Sequence, residues 1–308
     1  MRFKEFSKKL CFFAGCLKAL LVGALLLGAS QTMAAIPLLD EMESLVKKEG
    51  GFLKSLQLES IQEIKSLDSA GRRVDGWRLG QLLGGLVLEV EQEVVSNRLS
   101  ALDKIDLGLR LANGWRDRFD NWNVLVLQSE GELLMARWFL RSDENDLIHA
   151  REKFSKVDDQ HTTAEKGRGV YSFGARFGLL ANWAADMKRP REEQILLILT
   201  GINVTKSGLK QYPYDSTTGV STLYRQLHHV SGGSALSEYL DEWITFIEAQ
   251  SEKAQNESAR MLSSSLFMHQ RDRDAIKWFN RYAHHAAHDK VPSHLVVNRP
   301  GYQGGSLG

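Results

Sequence analysis

The sequence predicts an all-α fold built from helical hairpins. Two stretches carry this prediction, Gly131–Val157 and Ala259–Tyr282. In each, apolar residues recur at intervals of three and four, which is the period of a helix with one buried face. A short polar segment lies between two such runs and is long enough only for a tight turn. Each stretch is therefore predicted to be two helices folded back on each other.

The C-terminal hairpin has a small residue at the point where its two helices must touch. The apolar faces of its first and second helix are predicted to be formed by Ala259, Leu262, Leu266 and Phe267 and by Ala275, Ile276, Phe279 and Tyr282. The polar turn is His269–Asp272. Ala275 lets the first helix approach closely, and we expect Phe279, four residues further on, to fill the remaining gap.

The hairpin at Gly131–Val157 repeats this arrangement. Its first helix carries Leu134 and Trp138, and its turn is predicted at Ser142–Asn145. Ala150 and Phe154 then reproduce the small-then-aromatic spacing of the C-terminal hairpin. The turn is longer by about two residues, which is within the usual variation of such connections.

The C-terminal hairpin resembles a tetratricopeptide repeat. The positions that carry the resemblance are, in order, Ala259, Leu262-Ser263, Leu266, Ala275, Phe279 and Tyr282. Three of them depart from the family pattern, since Ala259 replaces a bulky residue, Leu266 an aromatic one and Tyr282 a small one. The resemblance implies a stack of hairpins, as a solenoid or a helical bundle, whose groove binds a protein or peptide partner.

The remainder of the chain is predicted to form further helices. In chain order they are Pro37–Lys48, Phe52–Leu67, Leu79–Val94, Leu99–Leu111, Val170–Met187, Arg191–Ile202, Ser221–Val230 and Ala235–Gln250. Pro37 suits a first helical turn, and Gly50-Gly51 end that helix. Leu79–Val94 keeps helical spacing over four turns, although Gly80, Gly84 and Gly85 weaken it. We interpret these glycines as sites of close approach to a neighbouring helix.

The C-terminal half has clear helix boundaries. Pro190 ends Val170–Met187, and a polar linker is expected at Asp158–Gly169. Ser221 and Ser234 are predicted N-caps. Lys206–Thr218 is predicted to be the longest non-helical stretch, because Gly208 and Pro213 interrupt it.

Residues 1–35 are predicted to be a secretory signal peptide. A basic start is followed by the uncharged apolar run Ala19–Ala29 and by Thr32-Met33-Ala34, whose small residues suit cleavage after Ala34 or Ala35. The alternative is an uncleaved membrane anchor, which Lys18 would interrupt. The protein is therefore expected to be periplasmic or secreted. Residues 36–290 would form the helical domain and 291–308 a loose tail.

Removal of this segment also removes both cysteines and leaves 34 basic and 37 acidic residues, a formal charge of −3. A chain with this balance has no electrostatic basis for nucleic-acid binding. An exported chain without cysteine must derive its stability from its core, which about 273 residues are sufficient to form.

Two stretches are candidate ligand-binding surfaces. Asn113–Asn123 combines aromatic, charged and amide side chains, and the predicted loop after Lys206 adds two tyrosines. The candidate binding residues are Trp115, Arg118, Asn121, Trp122, Tyr212 and Tyr214. A carbohydrate or peptide groove would use such a mixture. The alternative is a helix corner in which Trp115, Phe119 and Trp122 are core residues.

The sequence predicts neither a cofactor nor a metal ion. His284 and His288 lie one helical turn apart, as a metal-binding pair would, and Asp289 or His294 could complete the set. Histidines are also common in the last turn of a helix, where the dipole favours a cation. Without a clear metal signature, we interpret them in this second way.

No catalytic motif stands out, so the predicted function is that of an exported scaffold or binding module for a protein of the cell envelope. The alternative is a helical lyase or hydrolase that acts on an anionic polysaccharide, faintly similar to alginate-type lyases around Asn121–Leu140. Its neutraliser, base and acid would be drawn from Asn121 or Asn123, His161 or His228, and Tyr171 or Tyr214.

Overall fold

The computed structural model describes residues 36–48, 54–70, 76–115, 124–162, 165–211, 217–231 and 237–288. Within these ranges the chain forms twelve helices and no strand, so the predicted all-α fold is confirmed. The helices are α1 (36–48), α2 (Lys54–Ser69), α3 (Gly76–Glu93), α4 (Arg98–Gly114), α5 (Val124–Arg141), α6 (Glu144–Gln160), α7 (Arg168–Asp186), α8 (Arg191–Gln211), α9 (Thr217–Ser231), α10 (Ser237–Glu248), α11 (Glu252–Met268) and α12 (Asp272–His288). The predicted signal peptide and the predicted tail lie outside the described residues.

The chain divides into two compact units, Met1–Lys153 and Phe154–Gly308, and α6 continues from the first into the second. None of the described helices combines the length and the apolar composition that crossing a membrane requires. Each unit has its own packing arrangement.

In the first unit, α3 is the central helix and packs against α2, α4 and α5. Its periodic leucines and valines are buried because they face these neighbours, and residues of α1, α2 and α4 complete the core. Two of its glycines lie at helix contacts: a Cβ on Gly80 would lie 2.5 Å from Leu125 Cβ, and one on Gly85 would lie 2.6 Å from Gln57 Nε2. The interpretation of these two as close-approach sites is confirmed, whereas a Cβ on Gly84 would make only an ordinary contact, 4.0 Å from Ser129 Oγ.

In the second unit, three hairpins are stacked: α7–α8, α9–α10 and α11–α12. Helix α9 packs against both helices of the preceding hairpin, and α11 packs against both α9 and α10. Contact of each hairpin with the next along the chain is the arrangement of a helical-hairpin stack. Helices α7 and α8 come close enough that a Cβ on Gly174 would lie 1.8 Å from the hydroxyl oxygen of Thr205.

The start of α7 is stabilised by a residue from the end of α6. Asp158 is fully buried, and its carboxylate accepts hydrogen bonds from the backbone N–H groups of Gly167, Gly169 and Val170 at 2.7–3.0 Å. The first N–H groups of a helix have no partner within the helix, so a carboxylate there satisfies them and also favours the positive end of the dipole. Helix α6 continues to Gln160, so the prediction of a polar linker at Asp158–Gly169 is wrong for its first three residues.

Helix α8 is longer than predicted. It continues to Gln211, so the prediction of a non-helical stretch from Lys206 is wrong for its first six residues. Gly208 does not interrupt the helix because it serves packing: a Cβ there would lie 1.8 Å from Val170 Cγ1. Likewise α9 begins at Thr217, and Ser221 is a buried residue within it rather than its N-cap.

The two predicted hairpins form, with turns between α5 and α6 and between α11 and α12. In the C-terminal hairpin Ala275 is fully buried, as predicted. The prediction for the aromatic residue beside it was wrong by one position. Trp278 is 2 % exposed, whereas Phe279 is 36 % and Ile276 46 % exposed. The buried face of α12 is thus rotated by about one residue from the predicted one, because Trp278 and not Phe279 is buried together with Ala275.

Candidate functional site

The residues predicted to bind a ligand do not form a described surface. Trp115 is fully buried in the core of the first unit and exposes no ring surface to a ligand. The alternative interpretation of Asn113–Asn123, as a helix corner with core aromatic residues, predicts this burial of Trp115. The other candidates, Arg118, Asn121, Trp122, Tyr212 and Tyr214, lie outside the described residues.

A cleft of about 680 Å³ lies between α8 and α10 in the second unit. Its lining combines side-chain amides, hydroxyl groups, one ion pair and apolar surface, contributed by Asn203, Lys206, Ser207, Leu209, Glu242, Thr245, Phe246, Ala249 and Gln250. The volume is in the range of sites that bury a small ligand or a short stretch of a peptide.

Lys206 holds the cleft together. Its ammonium group donates one hydrogen bond to the hydroxyl of Tyr224 on α9 and another, 2.5 Å long, to Glu242 Oε1 on α10. The nitrogen also lies 5.2 Å from the ring centroid of Phe246. A cation at this distance from an aromatic ring is attracted by its π face. One lysine thus links three helices.

The ionisation of this cluster follows from its partial burial. Burial raises the pKa of the Tyr224 hydroxyl, and the neighbouring Glu242 carboxylate raises it further. Burial is the largest single influence on Glu242 and opposes its ionisation. The hydrogen bond and the positive charge of Lys206, together with the hydrogen bond from Tyr224, outweigh burial and lower the pKa of that carboxyl. Near neutral pH Glu242 is therefore a carboxylate and Tyr224 a neutral phenol.

The side of the cluster away from solvent is rigidly packed. The rings of Tyr224 and Trp243 are stacked, with centroids 5.5 Å apart and planes 8° from parallel. Trp243 is fully buried, and its indole N–H donates to the hydroxyl oxygen of Ser221 at 3.1 Å. Stacking and this hydrogen bond fix α10 against α9 below the cleft.

The first unit has a cleft of its own, of about 590 Å³, between α1 and α4. It is lined by Glu41, Ser44, Leu45, Lys48, Asn97, Ser100, Asp103, Lys104 and Leu107. Lys104 is 2 % exposed, and its ammonium group lies 2.7 Å from Glu93 Oε1 and 3.5 Å from Glu89 Oε2. These contacts assign Lys104 to internal ion pairs of α3 and α4.

The residues considered for catalysis lie on different elements. His161 follows the end of α6, where its ring nitrogen Nδ1 is 3.1 Å from Glu165. His228 is buried in α9, and Tyr171 is half-buried in α7 against Gly219. Asn121, Asn123 and Tyr214 lie outside the described residues.

The described part of the chain contains no group of three or more His, Cys, Asp or Glu side chains placed to hold a metal ion. His284 is exposed on α12. The side chain of His288, together with Asp289 and His294, lies outside the residues whose surroundings are described.

Sequence reasoning missed Lys206, Tyr224 and Glu242. Each occupies an ordinary position in an amphipathic helix, and a lysine or glutamate there is usually solvated. Only the packing of three helices brings them together. Comparison with protein families, with curated proteins and with solved structures finds no match to this chain.

Proposed function

We propose that this chain is an exported helical-hairpin binding module that holds an extended peptide segment of a cell-envelope protein in the α8–α10 cleft. The observation that carries the proposal is the mixed lining of that cleft. A peptide offers a backbone N–H and C=O at each residue together with apolar side chains, and the cleft has groups that match all three.

The matching groups lie along both walls. Asn203 of α8 has a side-chain amide that can pair with a peptide unit. Gln250 Nε2 donates to the carbonyl of Phe246 at 2.9 Å, and the amide oxygen of the same side chain is an acceptor that can pair with a ligand N–H. Leu209 and Phe246 provide apolar surface for a side chain.

The electrostatics of the cleft favour a peptide over a polyanion. Lys206 is already paired with Glu242, and a phosphate-rich ligand would meet that carboxylate. The formal charge of −3 after loss of the N-terminal segment acts in the same direction. This is consistent with the prediction that nucleic acid is not the partner.

The export and repeat components of the proposal rest on different observations. Export rests on the basic start, the apolar run and Thr32-Met33-Ala34. The tetratricopeptide-like component rests on the motif around Ala275 and gains support from the stacked order of α7 to α12. Helical-repeat proteins commonly bind peptides in the grooves that such stacking creates.

The test is a selection of peptides from a random phage-displayed library on purified protein comprising residues 36–308. Enriched peptides are synthesised, and their affinity is measured by calorimetry for three proteins. The first is the wild type, and the second is Ala249→Trp, which fills the cleft from an exposed position of the segment after α10. The third is the control Ala185→Trp, an exposed alanine on α7 outside the cleft.

We expect Ala249→Trp to weaken binding at least about tenfold, which corresponds to about 1.4 kcal/mol, while Ala185→Trp leaves it within about twofold. Failure to enrich any peptide, or equal affinity of all three proteins, would overturn the proposal. A parallel absorbance assay with uronic-acid polymers addresses the lyase alternative. Unsaturated products from the wild type that disappear in Asn121→Ala would replace binding by catalysis as the function.

A further inference from the structure

Two histidines meet inside the second unit where α9 faces the turn between α11 and α12. The rings of His228 and His269 have centroids 4.0 Å apart and planes at 77°, an edge-to-face contact. His228 is 5 % exposed. Within the described part of the chain, neither of its ring nitrogens has a hydrogen-bond partner. A buried N–H without an acceptor is costly, and a buried imidazolium, with two such groups and a charge, is costlier.

Among the residues that the structure describes, no carboxylate or hydrogen-bond acceptor is placed to stabilise the cation of His228. Burial lowers its pKa to about 4, and the neighbouring His269 and His229 contribute in the same direction. Burial also lowers the pKa of His269. Trp243, whose ring centroid is 6.5 Å from that of His228, offers an aromatic surface but no acceptor.

Several charged groups on the elements packed around α9 have partners other than His228. On α8, Arg191 donates to the backbone carbonyl of Val230. On α10, Asp241 pairs with Arg271 of the α11–α12 turn, and Glu242 with Lys206. Helix α7 faces α9 through the uncharged Asn182 and Gly178, and α11 does so through Met261. No carboxylate is among the groups that act on His228.

We propose that the contact between His228 and His269 is an acid-sensitive element that loosens the packing of α9 against α10 and against the α11–α12 turn when the pair is protonated. Protonation places positive charges on two imidazole rings that are in contact. One of them, His228, has no hydrogen-bond acceptor among the described residues. The repulsion and the lost solvation are relieved when the turn moves away from α9.

The same element reaches the α8–α10 cleft through two ring contacts and one hydrogen bond. His228 lies beside Trp243, Trp243 is stacked on Tyr224, and Tyr224 holds Lys206. Loosening at His228 therefore disturbs the cleft from below. The consequence that a bound peptide is released in acid rests on the function proposed above, whereas the acid-sensitive packing does not.

The direction of the pH effect follows from the two pKa values. The unfolded His228 takes up its proton near the ordinary value of 6.5, and the folded one only near about 4. The folded state is thus fully stabilised by the neutral ring above about pH 6.5, and this stabilisation is lost as the pH falls from there through about 4.

The test uses the unliganded protein, so that its result is independent of the peptide experiment. Urea unfolding midpoints are measured between about pH 7 and about pH 4.5 for the wild type, His228→Phe, His269→Asn and the control His149→Asn. His149 is exposed on α6 in the first unit. His228→Phe keeps an aromatic ring in the site but cannot be protonated, and His269→Asn removes the second titrating ring from a partly exposed position.

We expect the midpoint of the wild type and of His149→Asn to fall with pH by the same amount, and that of His228→Phe to fall clearly less. His269→Asn should give an intermediate decrease and remains informative if His228→Phe does not fold. Proton NMR of the imidazole signals supplies a second measurement, in which the signal absent from His228→Phe should titrate well below the ordinary histidine range. Equal pH dependence of all four proteins, or an ordinary titration of that signal, would overturn the proposal.

Discussion

The hairpins α5–α6 and α11–α12 share a predicted pattern but bury it differently. In α6 the small and the aromatic residue, Ala150 and Phe154, are both buried. In α12 the small residue of the predicted pair, Ala275, is buried, but the aromatic one, Phe279, is exposed. The adjacent Trp278 is buried in its place. The spacing of apolar residues therefore specifies a helix and a turn, but it does not decide which of two adjacent aromatic residues is buried.

The polar residues inside the two hairpins differ as well. Glu130 of α5 and Lys153 of α6 form a buried ion pair in which the ammonium lies 2.8 and 2.7 Å from the two carboxylate oxygens. In α11 the buried polar residues are serines, among them Ser258 and Ser265. One hairpin thus depends on a charge pair and the other on close packing around small side chains. A shared repeat pattern does not make the two interchangeable.

The largest expected effect is in the hairpin with the charges. Glu130→Ala leaves the Lys153 ammonium inside the protein without its carboxylate, and breaking a buried pair in this way costs about 3–5 kcal/mol. The free energy of unfolding from urea titration at neutral pH measures it. The double variant Glu130→Leu with Lys153→Met is the control, because it removes both charges. It should recover most of the loss, and equal destabilisation of the single and double variants would show that the charge is not the cause.

A comparison of two adjacent aromatic residues in α12 tests the rotated face. Trp278→Ala should lower the free energy of unfolding by about 3–5 kcal/mol, because it empties a buried site. Phe279→Ala should change it by only about 0.5 kcal/mol, because its ring is on the surface. Urea titrations of the two variants side by side measure the difference. If Phe279→Ala proved the more damaging, the originally predicted face would be the right one.

Much of the fold was predictable because helical periodicity is a local property. The positions of the α5–α6 and α11–α12 turns and the burial of Ala150, Ala275 and Phe154 followed from it. The end of α8 was not predictable, because Gly208 interrupts a helix by its own propensity and is retained here for its contact with Val170. A local pattern does not contain that contact.

The candidate site was not predictable for the same reason. The site combines residues of three helices. Tyr224 lies 18 residues after Lys206 in the sequence, and Glu242 lies 36 residues after it. Each residue alone has an ordinary environment in sequence. The aromatic stretch Asn113–Asn123 suggested a binding surface, but its Trp115 is fully buried in the core. A large indole at the end of a helix more often serves packing than ligand binding.

The smallest of the expected losses concerns the residue at the centre of the comparison, Ala275. It is fully buried on the face of α12 that packs against α11, where Leu262 and Leu266 are also fully buried. Ala275→Trp forces the two helices apart and should destabilise the protein by about 1–3 kcal/mol through overpacking. The control is Ala249→Trp, the same substitution at an exposed site, which should change the free energy of unfolding by only about 0.5 kcal/mol. Urea titration measures both. An Ala275→Trp protein as stable as the Ala249→Trp protein would mean that α11 and α12 do not touch at this residue, and the resemblance of the hairpin to a tetratricopeptide repeat would then lose the position on which it most depends.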